Sequence, residues 1–81
     1  MSAREELKIK VQELKAKYAD VINDLAIKYG VDVGVAYSMF LAIPRAMMLG
    51  QEPAYSTDLP INYEELQEEY LDYLAICHKV L

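Results

Sequence analysis

The fold is decided by residues 33–49, which read VGVAYSMFLAIPRAMML. Ser38 and Arg45 are the side chains that interrupt this apolar run. A helix that is apolar on all sides must be covered on nearly every side, so we expect these residues to form the centre of a core. A membrane span is disfavoured because the run is short for a bilayer of ~30 Å and its flanks lack basic anchors.

The ends of this central helix are marked in the sequence. Asp32 can cap its start, and Gly50 provides a stop, so we predict a helix over residues 32–49. Pro44 lacks an N–H and clashes with the preceding turn. We therefore expect a kink or a break in the helix near Pro44.

The segment before it predicts one long helix over residues 3–29. Ser2 followed by Glu5 is a capping-box pattern, and Gly30 supplies a left-handed end. Such a helix would be about 40 Å long, whereas a compact chain of this size is roughly 30 Å across. The helix should therefore project from its own domain or be covered by a second copy. Its apolar stripe repeats every three or four residues: Leu7, Val11, Leu14, Tyr18, Val21 and Leu25.

The segment after it predicts a loop over residues 50–61, which holds two prolines, and a third helix over residues 62–80. Asn62 and Glu65 form a second capping pair at the start of this acidic, amphipathic helix. No strand alternation or hairpin signal is present in the sequence. Residues 1–81 are thus expected to form a single all-α domain of three main helices, in an oligomeric helical bundle.

Self-association is expected because two helices with single apolar stripes cannot enclose a third that is apolar all round. A two-fold homodimer is the simplest solution. The residues that we expect to contribute are Ile9, Ile27, Tyr37, Phe40, Leu41, Met47 and Met48.

Charge is distributed unevenly along the chain, which has a formal net charge of −5. Residues 1–30 carry a net charge of +1, whereas residues 63–81 carry −4. This acidic balance argues against generic binding to nucleic acid or to an anionic membrane. We expect the acidic face of the third helix, with its tyrosines, to bind another protein or to serve only solubility. The residues of this candidate surface are Tyr63, Glu65, Glu68, Glu69, Tyr70, Asp72 and Tyr73.

Residues 25–39, LAIKYGVDVGVAYSM, resemble the helix-turn-helix signature of DNA-binding regulators. Ala26, Gly30 and Val31 match the small residue, the turn glycine and the hydrophobic residue after it, and Asp32 stands at the capping position. The resemblance implies a transcriptional regulator that reads DNA with its second helix. The exposed positions of that helix would hold no basic side chain, which disfavours nucleic acid as a partner. These positions are Asp32, Val33, Gly34, Tyr37 and Ser38.

Carboxylates of the third helix also resemble a known metal motif. Glu65-x-x-Glu68 and Glu69-x-x-Asp72 are similar to the motifs with which all-α nucleotide pyrophosphatases of the MazG type bind magnesium. In that family the two motifs lie on different helices, whereas here they are contiguous on one helix. Only a partner chain could complete such a site. We therefore expect no metal and no cofactor in the single chain.

Nucleophilic catalysis is disfavoured by the arrangement of the candidate groups. Cys77 and His78 are adjacent, and adjacent side chains on a helix point about 100° apart, so they diverge. The single cysteine also excludes a disulfide framework. Glycine-rich phosphate loops, nucleophile elbows and zinc spacings are absent from the sequence.

The resulting expectation is a small non-catalytic protein-interaction module that self-associates, such as an adaptor, an assembly factor or an inhibitor encoded by a mobile element. A helix-turn-helix-like regulator and a metal-dependent nucleotide hydrolase assembled across a dimer are the alternatives. No charged-then-apolar leader opens the sequence, so a cytoplasmic location is expected.

Overall fold

Four α-helices build the structure, a computed structural model that describes residues 2–52 and 59–81. The helices are α1 (Ala3–Lys17), α2 (Ala19–Tyr29), α3 (Val33–Met48) and α4 (Tyr63–Val80). Every regular element in these described ranges is an α-helix, which confirms the all-α class. Residues 53–58 of the predicted loop lie outside the described residues.

The prediction of one helix over residues 3–29 is wrong, because the helix is interrupted at Tyr18. Tyr18 has φ −107° and ψ 23°, outside the α-helical region. Its N–H still donates to Leu14 O at 3.1 Å, and its carbonyl accepts from the Ile22 N–H at 2.9 Å. The interruption allows α1 to pack against α4 while α2 packs against α3. The longest dimension of the molecule is 37 Å, so no 40 Å helix projects from it.

The alternative of a helix break near Pro44 is also wrong, since α3 continues to Met48. The Pro44 side chain is fully buried. Burial of its ring offsets part of the cost of the missing N–H hydrogen bond. Gly50 follows the helix with φ 70°, a left-handed conformation that favours glycine.

The predicted helix starts after Ser2, Asp32 and Asn62 are confirmed by side-chain caps. Each of these side chains accepts a hydrogen bond from the backbone N–H three residues further on, at 3.2, 2.9 and 3.2 Å respectively. Gly30 ends α2 with φ 64°, the left-handed stop that the sequence indicates. The turn of residues 30–32 thus separates two well-capped helices.

The core lies where α3 meets the other three helices. Phe40 and Ile43 of α3 are fully buried, as are Leu14 of α1, Leu25 of α2 and Leu66 of α4. The ring of Tyr18 packs against Phe40 with a centroid distance of 5.0 Å. α3 is therefore the central helix, as expected, although part of its surface stays exposed.

Candidate interaction surfaces

The acidic side of α4 is divided by its packing against α1. Glu65 and Glu69 both contact the ammonium group of Lys17, and Nζ lies 2.6 Å from Glu69 Oε1. At the other end of the same pair of helices, Lys79 Nζ lies 3.7 Å from Glu6 Oε2. These contacts show that α1 and α4 run antiparallel and share a charged seam. Two of the predicted partner-binding carboxylates are thus engaged within the chain itself.

Lys17, Glu65 and Glu69 form what we call the Lys17 cluster, and it changes the electrostatics around Tyr18. Hydrogen bonds that the Lys17 ammonium donates to the Glu65 and Glu69 carboxylates raise the pKa of Lys17 above its usual value. Burial raises the pKa of Tyr18 to about 12, and the neighbouring Glu69 carboxylate adds to this increase. The second carboxylate oxygen of Glu69 is buried and has no hydrogen-bond partner among the described residues. The cluster therefore holds α1 against α4 and is not a free acidic surface.

The outward side of α4 remains open to solvent. Glu64, Glu68 and Asp72 recur every four residues, so they lie on one face of the helix. All three are exposed, and none forms an ion pair with another residue in the described ranges. Leu71 lies beside them and is 51% exposed. We call Glu64, Glu68, Leu71 and Asp72 the acidic ridge.

The tyrosines of α4 are less accessible than the sequence suggested. Tyr70 is buried, and its ring stacks on that of half-buried Tyr73 with a centroid distance of 5.9 Å. Tyr63 is half-buried, and its hydroxyl accepts a hydrogen bond from the Leu59 N–H at 3.3 Å. Of the predicted partner-binding residues, Glu68 and Asp72 belong to the acidic ridge, Glu65 and Glu69 to the Lys17 cluster, and the tyrosines to the packing of α4.

The residues predicted for self-association are split between core and surface. Tyr37 and Phe40 are buried within the single chain, so they are not available to a second copy. Leu41 and Met47 are half-buried and pack against the same core. The exposed members are Ile9 at 41%, Ile27 at 81% and Met48 at 44%.

Four exposed apolar residues lie near the turn that joins α2 to α3, and the sequence analysis had named only Ile27 among them for self-association. Val33 is 52% exposed, Val35 is 45% exposed and Tyr29 is 41% exposed, close in sequence to the far more exposed Ile27. We call Ile27, Tyr29, Val33 and Val35 the α2–α3 corner. Within the single chain, α3 is therefore covered on only part of its surface.

A signal for this exposure was present in the two polar residues of α3. Ser38 and Arg45 are seven residues apart, so they lie on the same face of the helix, and both are exposed. Val35 and Leu49 continue that face at spacings of three and four residues, and both are exposed. The two interruptions of the apolar run therefore marked its solvent side.

The α2–α3 pair has the geometry of a helix-turn-helix unit. The two helices meet at 108°, within the range of about 90–120° typical of that motif. Asp32, Val33, Gly34 and Ser38 are exposed as predicted for the second helix. Tyr37 is not, because it is buried beneath Lys15, whose Nζ lies 5.0 Å from the centre of its ring.

The candidate metal and catalytic groups do not come together. In residues 2–52 and 59–81, no group of three or more histidine, cysteine or acidic side chains has the arrangement of a metal site. Glu65 and Glu69, which a magnesium site would use, contact the Lys17 ammonium. Cys77 is half-buried and His78 is exposed.

Comparisons with known protein families, with curated proteins and with solved structures found no match to this chain. No single helix in the described part of the chain is long and apolar enough to cross a membrane. α2 and α3 reach that length and composition only as a pair bent by 108°.

Proposed function

We propose that this protein is a non-catalytic protein-interaction module that forms a homodimer through the α2–α3 corner. The observation that carries this proposal is the exposure of Ile27, 81%, and Val33, 52%, on the two sides of one turn. Exposed large apolar side chains at neighbouring helix ends favour a protein contact. A second copy is the favoured occupant, because in a two-fold dimer the same patch contacts itself, so apolar surface is matched by apolar surface.

Light scattering at micromolar concentration tests the dimer. The wild type should give at least twice the chain mass of 9.2 kDa. The double variant Ile27→Gln/Val33→Gln should be monomeric. Its matched control is Ile9→Gln/Leu71→Gln, which changes two exposed apolar residues outside the corner and should leave the dimer intact. A monomeric wild type contradicts self-association, and a control that alone becomes monomeric contradicts the assignment to the corner.

The module would bind its other partner through the acidic ridge. Glu64, Glu68 and Asp72 are exposed and have no cationic neighbour in the described ranges, so they offer negative charge to a basic protein. Leu71 adds an exposed apolar contact beside that charge. A cytoplasmic adaptor, assembly factor or inhibitor fits such a surface.

A pull-down from the native host compares the wild type with the triple variant Glu64→Gln/Glu68→Gln/Asp72→Asn. The variant should lose a basic partner that the wild type retains, because its three ridge charges are neutral. Retention of the same partner by both proteins, with unchanged association rates at low salt, contradicts a role for the ridge.

The angle of 108° between α2 and α3 favours a helix-turn-helix regulator as a second candidate function. This candidate is disfavoured by the lack of positive charge on α3. Arg45 is the one basic residue of α3, and it lies in the last turn, away from the turn that joins α2 to α3. A mobility-shift assay at low salt with duplex DNA separates the two functions. Binding of DNA by the wild type that is lost in Ser38→Glu supports the regulator, and no shift contradicts it.

A further inference from the structure

A groove between the C-terminal half of α3 and α4 differs chemically from the groove between α1 and α4. It has a volume of 540 Å³, and the residues that line it include Arg45, Met48, Leu49, Tyr70, Tyr73 and Leu74. We call it the Arg45 groove. Its volume falls within the range of about 300–1,000 Å³ that is usual for small-molecule sites.

The Arg45 groove is lined by one positively charged side chain, Arg45, and by no negatively charged one. Arg45 is exposed, and it forms no ion pair with another described residue. None of the residues that line the groove is acidic. The groove between α1 and α4, by contrast, includes Glu6, Glu13 and Asp72 among its lining residues. In a chain with a net charge of −5, the Arg45 groove is thus a place where an anion meets local attraction.

The apolar side chains of the groove are exposed to solvent, so a ligand that covers them would gain binding free energy. Leu49 is 65% exposed and Met48 is 44% exposed, and half-buried Leu74 lies on the opposite wall formed by α4. A flexible alkyl chain laid along these side chains would remove them from water. Methionine adapts its shape readily to such a chain.

We propose that the Arg45 groove binds an amphipathic monocarboxylate, with the carboxylate on the Arg45 guanidinium and the alkyl tail along Met48, Leu49 and Leu74. Guanidinium and carboxylate form paired, charge-assisted hydrogen bonds. One cation compensates one negative charge, so a monoanion fits this site better than a phosphate dianion does. The site lies at the C-terminal end of α3, whereas the α2–α3 corner lies at its N-terminal end, so the two proposals stand or fall separately.

The test is a titration of isotope-labelled protein with decanoate, below the concentration at which decanoate forms micelles, followed by backbone NMR shifts. Saturable shifts should centre on residues 45–49 of α3 and residues 70–77 of α4. Decanol and decyltrimethylammonium have the same tail with a neutral or a cationic head group. Both should bind more weakly than decanoate, because neither head group pairs with Arg45.

Arg45→Gln should weaken decanoate binding about two- to fivefold, the usual value of an ion pair at an exposed site. Arg4→Gln is the matched control, because Arg4 is an exposed arginine that does not line the groove. The Arg4→Gln variant should bind decanoate with the affinity of the wild type. Met48→Gln removes exposed apolar surface from the groove and should weaken binding a few-fold without disturbing the core.

Three results would overturn the proposal: no saturable shift with decanoate, equal affinity in Arg45→Gln and the wild type, or equal binding of decanol. A short acidic peptide that shifts the same residues when decanoate does not would also overturn it, since the occupant would then be a protein segment.

Discussion

Tyr18 connects three helices through one side chain and one backbone unit. Its backbone ends α1, its ring packs on Phe40 of α3, and its hydroxyl lies near Glu69 of α4. Only 6% of the residue is exposed. An ionised tyrosine at this position would place a negative charge against a carboxylate in a poorly solvated place.

We therefore predict a loss of stability at alkaline pH. The pKa of Tyr18 and that of Tyr73 are both raised to about 12 from about 10, in each case mainly by burial. An acid whose pKa rises on folding stabilises the fold fully below its unfolded pKa. That stability is lost as the pH rises through 10 towards 12. Urea unfolding at a series of alkaline pH values measures this loss.

Tyr18→Phe should reduce the alkaline loss, because the ring is kept and one ionisable group is removed, whereas Tyr73 still contributes its share. Tyr29→Phe is the matched control, since Tyr29 is 41% exposed and its change should leave the loss in place. An alkaline profile of Tyr18→Phe identical to that of the wild type would count against this assignment.

Phe40 and Leu41 are neighbours in sequence with different environments, which gives a second prediction. Phe40→Ala should lower the free energy of unfolding by about 3–5 kcal/mol, because the ring is fully enclosed. Leu41→Ala should cost clearly less, because Leu41 is only half-buried. Urea denaturation measures both variants. Equal losses would mean that the side of α3 that carries Leu41 is as enclosed as the core.

At the scale of the helices, the capped ends were predictable and the interruption at Tyr18 was not. A cap is a local hydrogen bond, so the sequence alone is enough to predict the helix starts at Ser2, Asp32 and Asn62. The spacing of the apolar residues does not reveal the interruption. The backbone hydrogen bonds that Tyr18 donates and accepts still join residues four positions apart, as in a continuous helix. No glycine or proline lies near the interruption, and it separates the helix that packs on α4 from the helix that packs on α3.

For the candidate surfaces, the residues could be predicted from the sequence, but their arrangement in the fold could not. The acidic residues of α4 were identified, but their division depends on the position of Lys17, which no local pattern reveals. A surplus of apolar surface on α3 was expected, but its position was not predicted, because the apolar run was treated as uniform. The spacing of Ser38 and Arg45 contained the missing information.

Gly30 provides a test of how α2 ends. Gly30→Ala should destabilise the fold by about 1–2 kcal/mol, the usual cost of a left-handed backbone for an alanine. The cost should be conformational alone, because a Cβ atom at this position meets no atom within 4 Å. Gly30→Asn should cost less, since asparagine tolerates this conformation. Thermal unfolding of both variants measures the difference, and equal losses would point to a cause other than φ.

Adjacent carboxylates of α4 should respond in opposite ways to neutralisation. Glu68→Gln should raise stability by up to about 0.5 kcal/mol, because Glu64 and Asp72 lie four residues away on either side. Glu69→Gln should lower stability, because it removes a partner of Lys17. Urea midpoints at low salt measure both changes, and added salt should shrink them. A gain in stability in both variants would mean that the Lys17 cluster contributes nothing, and a loss in both would contradict the repulsion assigned to Glu68.

The whole molecule exposes more surface than its mass requires. Its accessible area is 5344 Å², against about 4,900 Å² for a compact chain of this size. The exposed apolar residues of the α2–α3 corner contribute to this area, and a dimer would cover them.

The melting temperature should therefore rise with protein concentration. Any species that binds the folded state stabilises it by mass action, so a dimer melts at a higher temperature when it is more concentrated. Ile27→Gln/Val33→Gln should melt at a temperature independent of concentration. Calorimetry over a wide concentration range measures this dependence, and a concentration-independent wild type would contradict a folded dimer.

The antiparallel seam of α1 and α4 has a consequence for the order in which the protein assembles. Its contacts join residues 48 and 52 positions apart in the chain, whereas a three-residue turn suffices to bring α2 onto α3. Long loops are entropically costly to close, so local pairs form early and distant ones late. The α2–α3 pair would thus form first during folding, and the packing of α1 against α4 would be the last step. Newly made chains would have to wait for the synthesis of α4 before α1 finds its place.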